Sequence, residues 1–124
     1  MTQAMIVDDS RAMRMILSRK LEQFGYEVAQ ASNGKDALDQ IRRGDTPFNL
    51  FLVDWNMPEM NGLDFIKKLR TEPRFQSTPI MMVTTETEAD QITAALAAGA
   101  NEYVIKPFTE DTIEEKLRQL GLLA

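Results

Sequence analysis

Five short apolar runs recur along the chain, at residues 3–7, 26–31, 50–53, 80–83 and 102–105, and each predicts a β-strand. In Leu50-Phe51-Leu52-Val53 and Ile80-Met81-Met82-Val83 the apolar positions are continuous rather than alternating. Such strands need cover on both faces, which is the pattern of a parallel sheet. The intervening segments carry apolar residues at helical spacing instead. Met13, Ile16, Leu17, Leu21 and Phe24 share one face of residues 11–24, and Gly25 stops that helix. A second helix starts at Asn33, a capping residue with Asp36 three positions on, and runs to Gly44 behind a stripe of Ala37, Leu38 and Ile41. A third spans residues 63–70 with Phe65, Ile66 and Leu69 inward, and Pro73 marks its end. A fourth follows Thr87 and presents Ile92, Ala95, Leu96 and Ala98 before Gly99. The last starts after Thr109, with Ile113, Leu117 and Leu120 on one side and Gly121 beyond.

Strand and helix thus alternate five times. Right-handed crossovers turn that order into one α/β domain over residues 1–124, a doubly wound five-stranded parallel sheet between two layers of helices, five in all. Ligands of open α/β sheets bind beyond the carboxyl ends of the strands. At those ends the first run is followed by Asp8, Asp9 and Ser10, the third by Asp54, Trp55 and Asn56, the fourth by Thr84 and Thr85, and the fifth by Lys106 and Pro107. Taken singly, each has an ordinary explanation as a strand-end polar residue, a cap or a surface amine. Delivered together to one edge by four strands, they make a site.

Composition narrows the chemistry. There is no cysteine and no histidine, which removes thiolate reactions, disulfides, the commonest zinc ligand and the usual general base. Three carboxylates in one crevice repel unless a cation joins them, and Mg²⁺, which takes oxygen ligands and leaves positions for water and phosphate, suits them. With Lys106 adding a fixed positive charge, an Asp oxygen could attack phosphorus in line. The formal net charge of −5 opposes direct contact with nucleic acid. Arg11, Arg14, Arg19 and Lys20 cluster after the first strand, and read as the solvated face of a helix. No run approaches the twenty or so apolar residues of a membrane helix, and residues 1–7 lack a signal peptide's basic start. A cytoplasmic location is the expectation, with no membrane contact.

Ile6-Val7-Asp8-Asp9, Val53-Asp54-Trp55-Asn56-Met57-Pro58 with Gly62, Val83-Thr84, and Val104-Ile105-Lys106-Pro107-Phe108 resemble, in order and spacing, the motifs of the receiver domains of two-component response regulators. The likeness covers nearly the whole chain. Asp-Trp-Asn-Met-Pro, and Lys-Pro-Phe-Thr continuing into Glu114-Glu115-Lys116-Leu117, look most like the stand-alone chemotaxis regulators of CheY type. The resemblance implies a flavodoxin-like, CheY-like three-layer sandwich. It implies that Asp54 accepts a phosphoryl group from a histidine kinase or a small donor such as acetyl phosphate. Asp9, Asp54 and the backbone carbonyl of Asn56 would bind Mg²⁺, with Asp8 acting through water. Lys106 would pair with phosphoryl oxygens ahead of a cis Pro107, and Thr84 would donate its hydroxyl to them. Tyr103 would move inward as the switch aromatic; the plainer reading leaves it half-buried with its hydroxyl in water. Asn56 and Glu86 occupy positions that tune dephosphorylation, so a short-lived phosphorylated state is expected. Thr85 departs from the small residue usual after the threonine, and its extra methyl and hydroxyl would narrow access to Asp54.

On this reading the chain is a signalling protein that catalyses only its own phosphorylation and dephosphorylation. Since no effector segment follows the last helix, output is expected from docking the fourth helix, fifth strand and fifth helix onto a partner protein. A flagellar motor switch protein is the favoured target, a phosphatase is a further candidate partner, and a monomer is expected. A receiver domain excised from a larger regulator or hybrid kinase would read the same way. The rival enzyme is a Mg²⁺-dependent phosphatase with an aspartyl nucleophile. It needs a second acid two residues on, where this chain has Asn56. A flavin module would need a phosphate loop rich in Gly, Ser and Thr in place of Asp8 and Asp9. A pseudo-receiver would lack phosphorylation groups that are all present here.

Overall fold

The computed structural model describes residues 2–123, leaving aside the side chain of residue 110. Strands β1 (Thr2–Val7), β2 (Tyr26–Ala31), β3 (Leu50–Val53), β4 (Ile80–Thr84) and β5 (Glu102–Ile105) alternate with helices α1 (Arg11–Gln23), α2 (Gly34–Arg43), α3 (Gly62–Leu69), α4 (Ala89–Ala98) and α5 (Glu110–Gln119). All neighbours pair in parallel, in the order β2-β1-β3-β4-β5.

The continuous apolar runs behave as their composition requires. All four residues of β3 and all five of β4 are buried, whereas the edge strands β2 and β5 keep partly exposed positions. Successive side chains of a strand point to opposite faces, and the core divides accordingly. Met5, Val7, Phe51, Val53 and Met82 pack under α2, α3 and α4, with Phe48, Phe65 and Phe75. Ala4, Ile6, Leu52, Met81 and Val83 pack against Leu17 and Leu21 of α1 and Ile113 and Leu117 of α5. On the first face Phe51 meets Phe75 edge-on at 5.3 Å between centroids and Phe65 at 6.2 Å. This is the geometry that ring quadrupoles favour.

The starts of α1, α2 and α3 follow capping residues. Asn33 Oδ1 accepts from the Asp36 amide at 2.8 Å, as expected, while Asp36 Oδ2 accepts from the Ser32 amide at 3.1 Å instead of closing back on Asn33. Asn61 caps α3 through the Asp64 amide at 2.8 Å and so starts that helix at Gly62, one residue before the apolar pattern. A 3₁₀ turn, Pro73–Phe75, lies where only the end of a helix was expected. Proline suits its first position, having no amide proton to lose. Neither Glu88 nor Thr109 makes a side-chain capping bond to α4 or α5.

Candidate functional site

A parallel sheet in this order reverses its winding between β1 and β3, which opens a crevice at their carboxyl ends. Asp8 and Asp54 stand there, anchored by ladder bonds from the Asp8 amide to the Ala31 carbonyl (3.0 Å) and from the Asp54 amide to the Val7 carbonyl (2.9 Å). Asp8 and Asp54 are buried and Asp9 is exposed at the rim. Oxygens of the three carboxylates lie within 4.8 Å of one another. Lys106, at the end of β5, is held by its amide on the Thr84 carbonyl (2.8 Å) and followed by a cis bond to Pro107. Its Nζ reaches Asp8 Oδ2 at 2.8 Å and Asp54 Oδ2 at 3.6 Å. Sequence placed these four groups at one edge, and the structure brings them into one site.

Charge does not balance there. Three carboxylates face one ammonium, an excess that a divalent cation would neutralise. Asp54 Oδ1 is buried and has no hydrogen-bond partner, which leaves a ligand oxygen free. Opposite ligands of a six-coordinate Mg²⁺ stand roughly 4 Å apart, so a small inward adjustment would suffice for one ion to join the set. The all-oxygen donor set fits that metal. Burial pushes the Asp54 carboxyl above its ordinary range. Lys106 pulls it down, Asp8 pushes it up, and the Thr84 hydroxyl and Trp55 amide lower it.

Thr84 is buried, and its Oγ1 accepts from the Glu86 amide at 3.3 Å. Glu86 is a junction. Its carboxylate accepts from Asn56 Nδ2 at 2.6 Å and its carbonyl accepts from the Tyr103 hydroxyl at 2.9 Å. The Tyr103 ring is half-buried against the core, and its hydroxyl is bonded to protein, which corrects the plainer expectation that it sits in water. Thr85 is exposed.

Three features were not foreseen. Arg14 donates to the Asp8 carbonyl at 2.6 Å and to Gln30 Oε1 at 3.2 Å, so one member of the supposed solvated basic face braces the acidic loop. Asp8 Oδ1 accepts from the Ser10 amide at 2.8 Å while Ser10 Oγ caps α1, joining the acid to the helix start. A Cβ on Gly62 would stand 2.1 Å from the Asp54 carbonyl oxygen, and the Gly62 amide bonds the Trp55 carbonyl at 2.8 Å. Glycine lets the loop after β3 fold back on the backbone of Asp54 and Trp55. The presence of Gly62 after the Asp54 motif was the available signal.

Residues 4–118 match the family model described as response regulator receiver domain. The chain is 45% identical to chemotaxis protein CheY1 of Helicobacter pylori over 115 residues, 91% of each protein. It superposes on the chemotaxis response regulator CheY4 of Vibrio cholerae with TM-score 0.88 and 35% identity, covering 97% of this chain and 98% of that one. Response regulator protein TrrA of Thermotoga maritima, solved in complex with Mg(2+)-BeF, aligns with TM-score 0.82 and 30% identity over 97% and 99% of the two chains. An acidic crevice at the β1/β3 reversal, a lysine shared between its carboxylates, and a match spanning nearly the whole sequence agree: the chain belongs to the response regulator receiver domain family.

Proposed function

We propose that this chain is a chemotaxis response regulator that is switched by phosphorylation of Asp54. The carrying observation is the placement of Lys106 Nζ between Asp8 and Asp54, beside a buried Asp54 oxygen without a partner. An Asp54 oxygen would form a bond to phosphorus as the bond from phosphorus to an imidazole nitrogen of the kinase's phosphohistidine breaks, and the imidazole leaves with the electron pair. Lys106 and the Thr84 hydroxyl would hold the equatorial oxygens, where charge gathers in such transfers. Asp8, Asp9, Asp54 and the Asn56 carbonyl would hold Mg²⁺, which supplies charge neutralisation for the incoming phosphoryl group. Asn56 and Glu86, bonded across the crevice mouth, would orient the water that later hydrolyses the acyl phosphate and keep its lifetime short.

Receiver domains imply a histidine kinase and a downstream target. For this chain the proposed output surface is the α4-β5-α5 face, on which Leu96 and Ile105 are among the few large apolar residues left exposed. The chemotaxis names of its relatives support a target in the flagellar motor switch, reached in the cytoplasm. No helix among the described residues is long and apolar enough to cross a membrane.

Trp55 is the only tryptophan and follows the acceptor directly. Mg²⁺ should change its fluorescence, beryllofluoride or acetyl phosphate should change it further, and Asp54→Asn should abolish the second response. Unaltered fluorescence, with no mass gain of one phosphoryl group from acetyl phosphate, would defeat the proposal.

A further inference from the structure

The two ends of α4 are held in very different ways. At its carboxyl end the Arg70 guanidinium, from the residue that caps the carboxyl end of α3, donates to four acceptors. Nη1 reaches the carbonyls of Phe75 and Thr78, each at 2.7 Å, and Nη2 reaches the Gly99 carbonyl at 2.6 Å and Asn101 Oδ1 at 3.0 Å. None of these is a carboxylate. They belong to the 3₁₀ turn, the entry to β4 and the turn from α4 to β5, so one side chain ties three segments to α3. Asn101 extends the clamp, because its Oδ1 also accepts from the Ile80 amide at 2.8 Å and its own amide bonds the Ile80 carbonyl at 2.8 Å. The cation also lies against the carboxyl ends of α3 and α4, where the helix dipole is negative. Gly99, at φ 123°, leaves room for it: a Cβ there would stand 2.7 Å from Arg70 Nε.

The amino end of α4 has no such hold. Glu88 makes no side-chain cap, residues 87–90 are all exposed, and Ala95 is the helix's one buried residue among those described. Gln91 Oε1 is buried without a hydrogen-bond partner. A buried acceptor left unpaired favours any rearrangement that pairs it. This loose end follows directly on Thr84 and Glu86, the residues facing the acceptor and Tyr103.

We propose that Arg70 is a positioning residue of the phosphorylation switch: it pins the carboxyl end of α4 as a fixed pivot, so that a displacement begun at Thr84 and Glu86 swings the amino end of the helix. The proposal rests on the reading of Asp54 as phosphoacceptor. The pivot lies at the amino-terminal edge of the sheet, opposite the acidic crevice, so Arg70 touches none of the groups at Asp54 and acts on the switch from a distance, through the segments it ties together.

The test is amide NMR and hydrogen exchange on the whole chain with Mg²⁺, before and after beryllofluoride. Amides of residues 86–92 should shift, while those of residues 99–101 and the Arg70 Nε–H should stay in place. Arg70→Lys keeps the charge but cannot span four acceptors. Its Trp55 response should survive, its amides at 99–101 should exchange about tenfold faster, the loss expected for one hydrogen bond, and the beryllofluoride shifts should spread into 99–101. Shifts at 99–101 as large as those at 86–92 in the parent protein would overturn the pivot alone, as would a lysine variant whose pattern matches the parent's. No beryllofluoride response at Trp55 or anywhere else would overturn the phosphoacceptor reading and the pivot with it. Should the lysine variant fail to fold, the parent measurement still decides.

Discussion

Replacing Lys106 with methionine tests the electrostatic logic of the site, because one partly buried ammonium serves two buried carboxylates. At an effective dielectric constant of 20, the contact with Asp8 at 2.8 Å is a gross attraction of about 6 kcal/mol, and that with Asp54 at 3.6 Å about 5 kcal/mol. Methionine fills much the same volume and avoids the cost of burying the ammonium, so most of that sum is offset. Two carboxylates remain without a counter-charge, and breaking a buried pair in this way costs about 3 kcal/mol or more. For a domain of this length that is a fall of roughly 10 °C in melting temperature. The assay is urea denaturation of Lys106→Met and the parent in EDTA, repeated across a Mg²⁺ titration. Because the fixed cation that repels the metal is gone, Mg²⁺ should bind the variant about tenfold more tightly and recover much of the lost stability. A variant within about 0.5 kcal/mol of the parent in EDTA, or one that binds Mg²⁺ no better, would refute the reasoning.

Gly62→Ala drives a Cβ to 2.1 Å from the Asp54 carbonyl oxygen and 3.0 Å from Trp55 Cα. Since these are backbone atoms that cannot step aside, it should lose at least about 2 kcal/mol in urea denaturation and slow phosphorylation by acetyl phosphate. Removing the Asn56 side chain breaks its bond to Glu86; Asn56→Ala should prolong the phosphorylated state by about tenfold, one hydrogen bond's worth, as followed by phosphoryl loss after donor removal. Both tyrosines of the chain, Tyr26 and Tyr103, have their phenol pKa raised, by burial and, for Tyr103, additionally by Glu86 and Asp54. The folded state therefore favours the protonated phenols: their contribution to stability is complete below the ordinary tyrosine value and fades as pH climbs through the raised one. Absorbance at the phenolate band should rise at higher pH in the native protein than in urea, and identical curves would contradict the assignment.

The fold was legible because its signals are redundant. The unbroken apolar runs of β3 and β4 needed cover on both faces, and the helix stripes supplied it except at Ile16 and Leu96, which stay exposed, so errors of a residue at element ends did not alter the topology. The site was legible for a related reason: once the strands are parallel, their carboxyl ends share an edge, and Asp8, Asp54, Thr84 and Lys106 arrive there whatever their side chains do next. What sequence could not show depends on rotamers and on contacts between elements. Arg14 looks like any exposed helical arginine until the Asp8 carbonyl is found beneath it. The Asn56 to Glu86 bond joins residues thirty apart, and the Arg70 clamp closes only because Gly99 leaves space for a guanidinium. The same holds for Tyr103, whose hydroxyl finds a carbonyl that no periodicity reveals.

One ammonium shared unequally between two acids also suggests how chemistry at Asp54 reaches the surface. Lys106 now sits closer to Asp8 than to Asp54. A phosphoryl group on Asp54 would bring new anionic oxygens within its reach and change which partner it prefers. Its backbone cannot follow freely, because the Lys106 amide is bonded to the Thr84 carbonyl. Any displacement of Lys106 is therefore felt at Thr84, whose Oγ1 accepts from the Glu86 amide, and then at Tyr103, bonded to the Glu86 carbonyl. Asp54 and the exposed face of β5 are thus separated by a short series of hydrogen bonds and no mobile linker, so a charge added at the crevice need only redistribute those bonds to alter what a partner would meet.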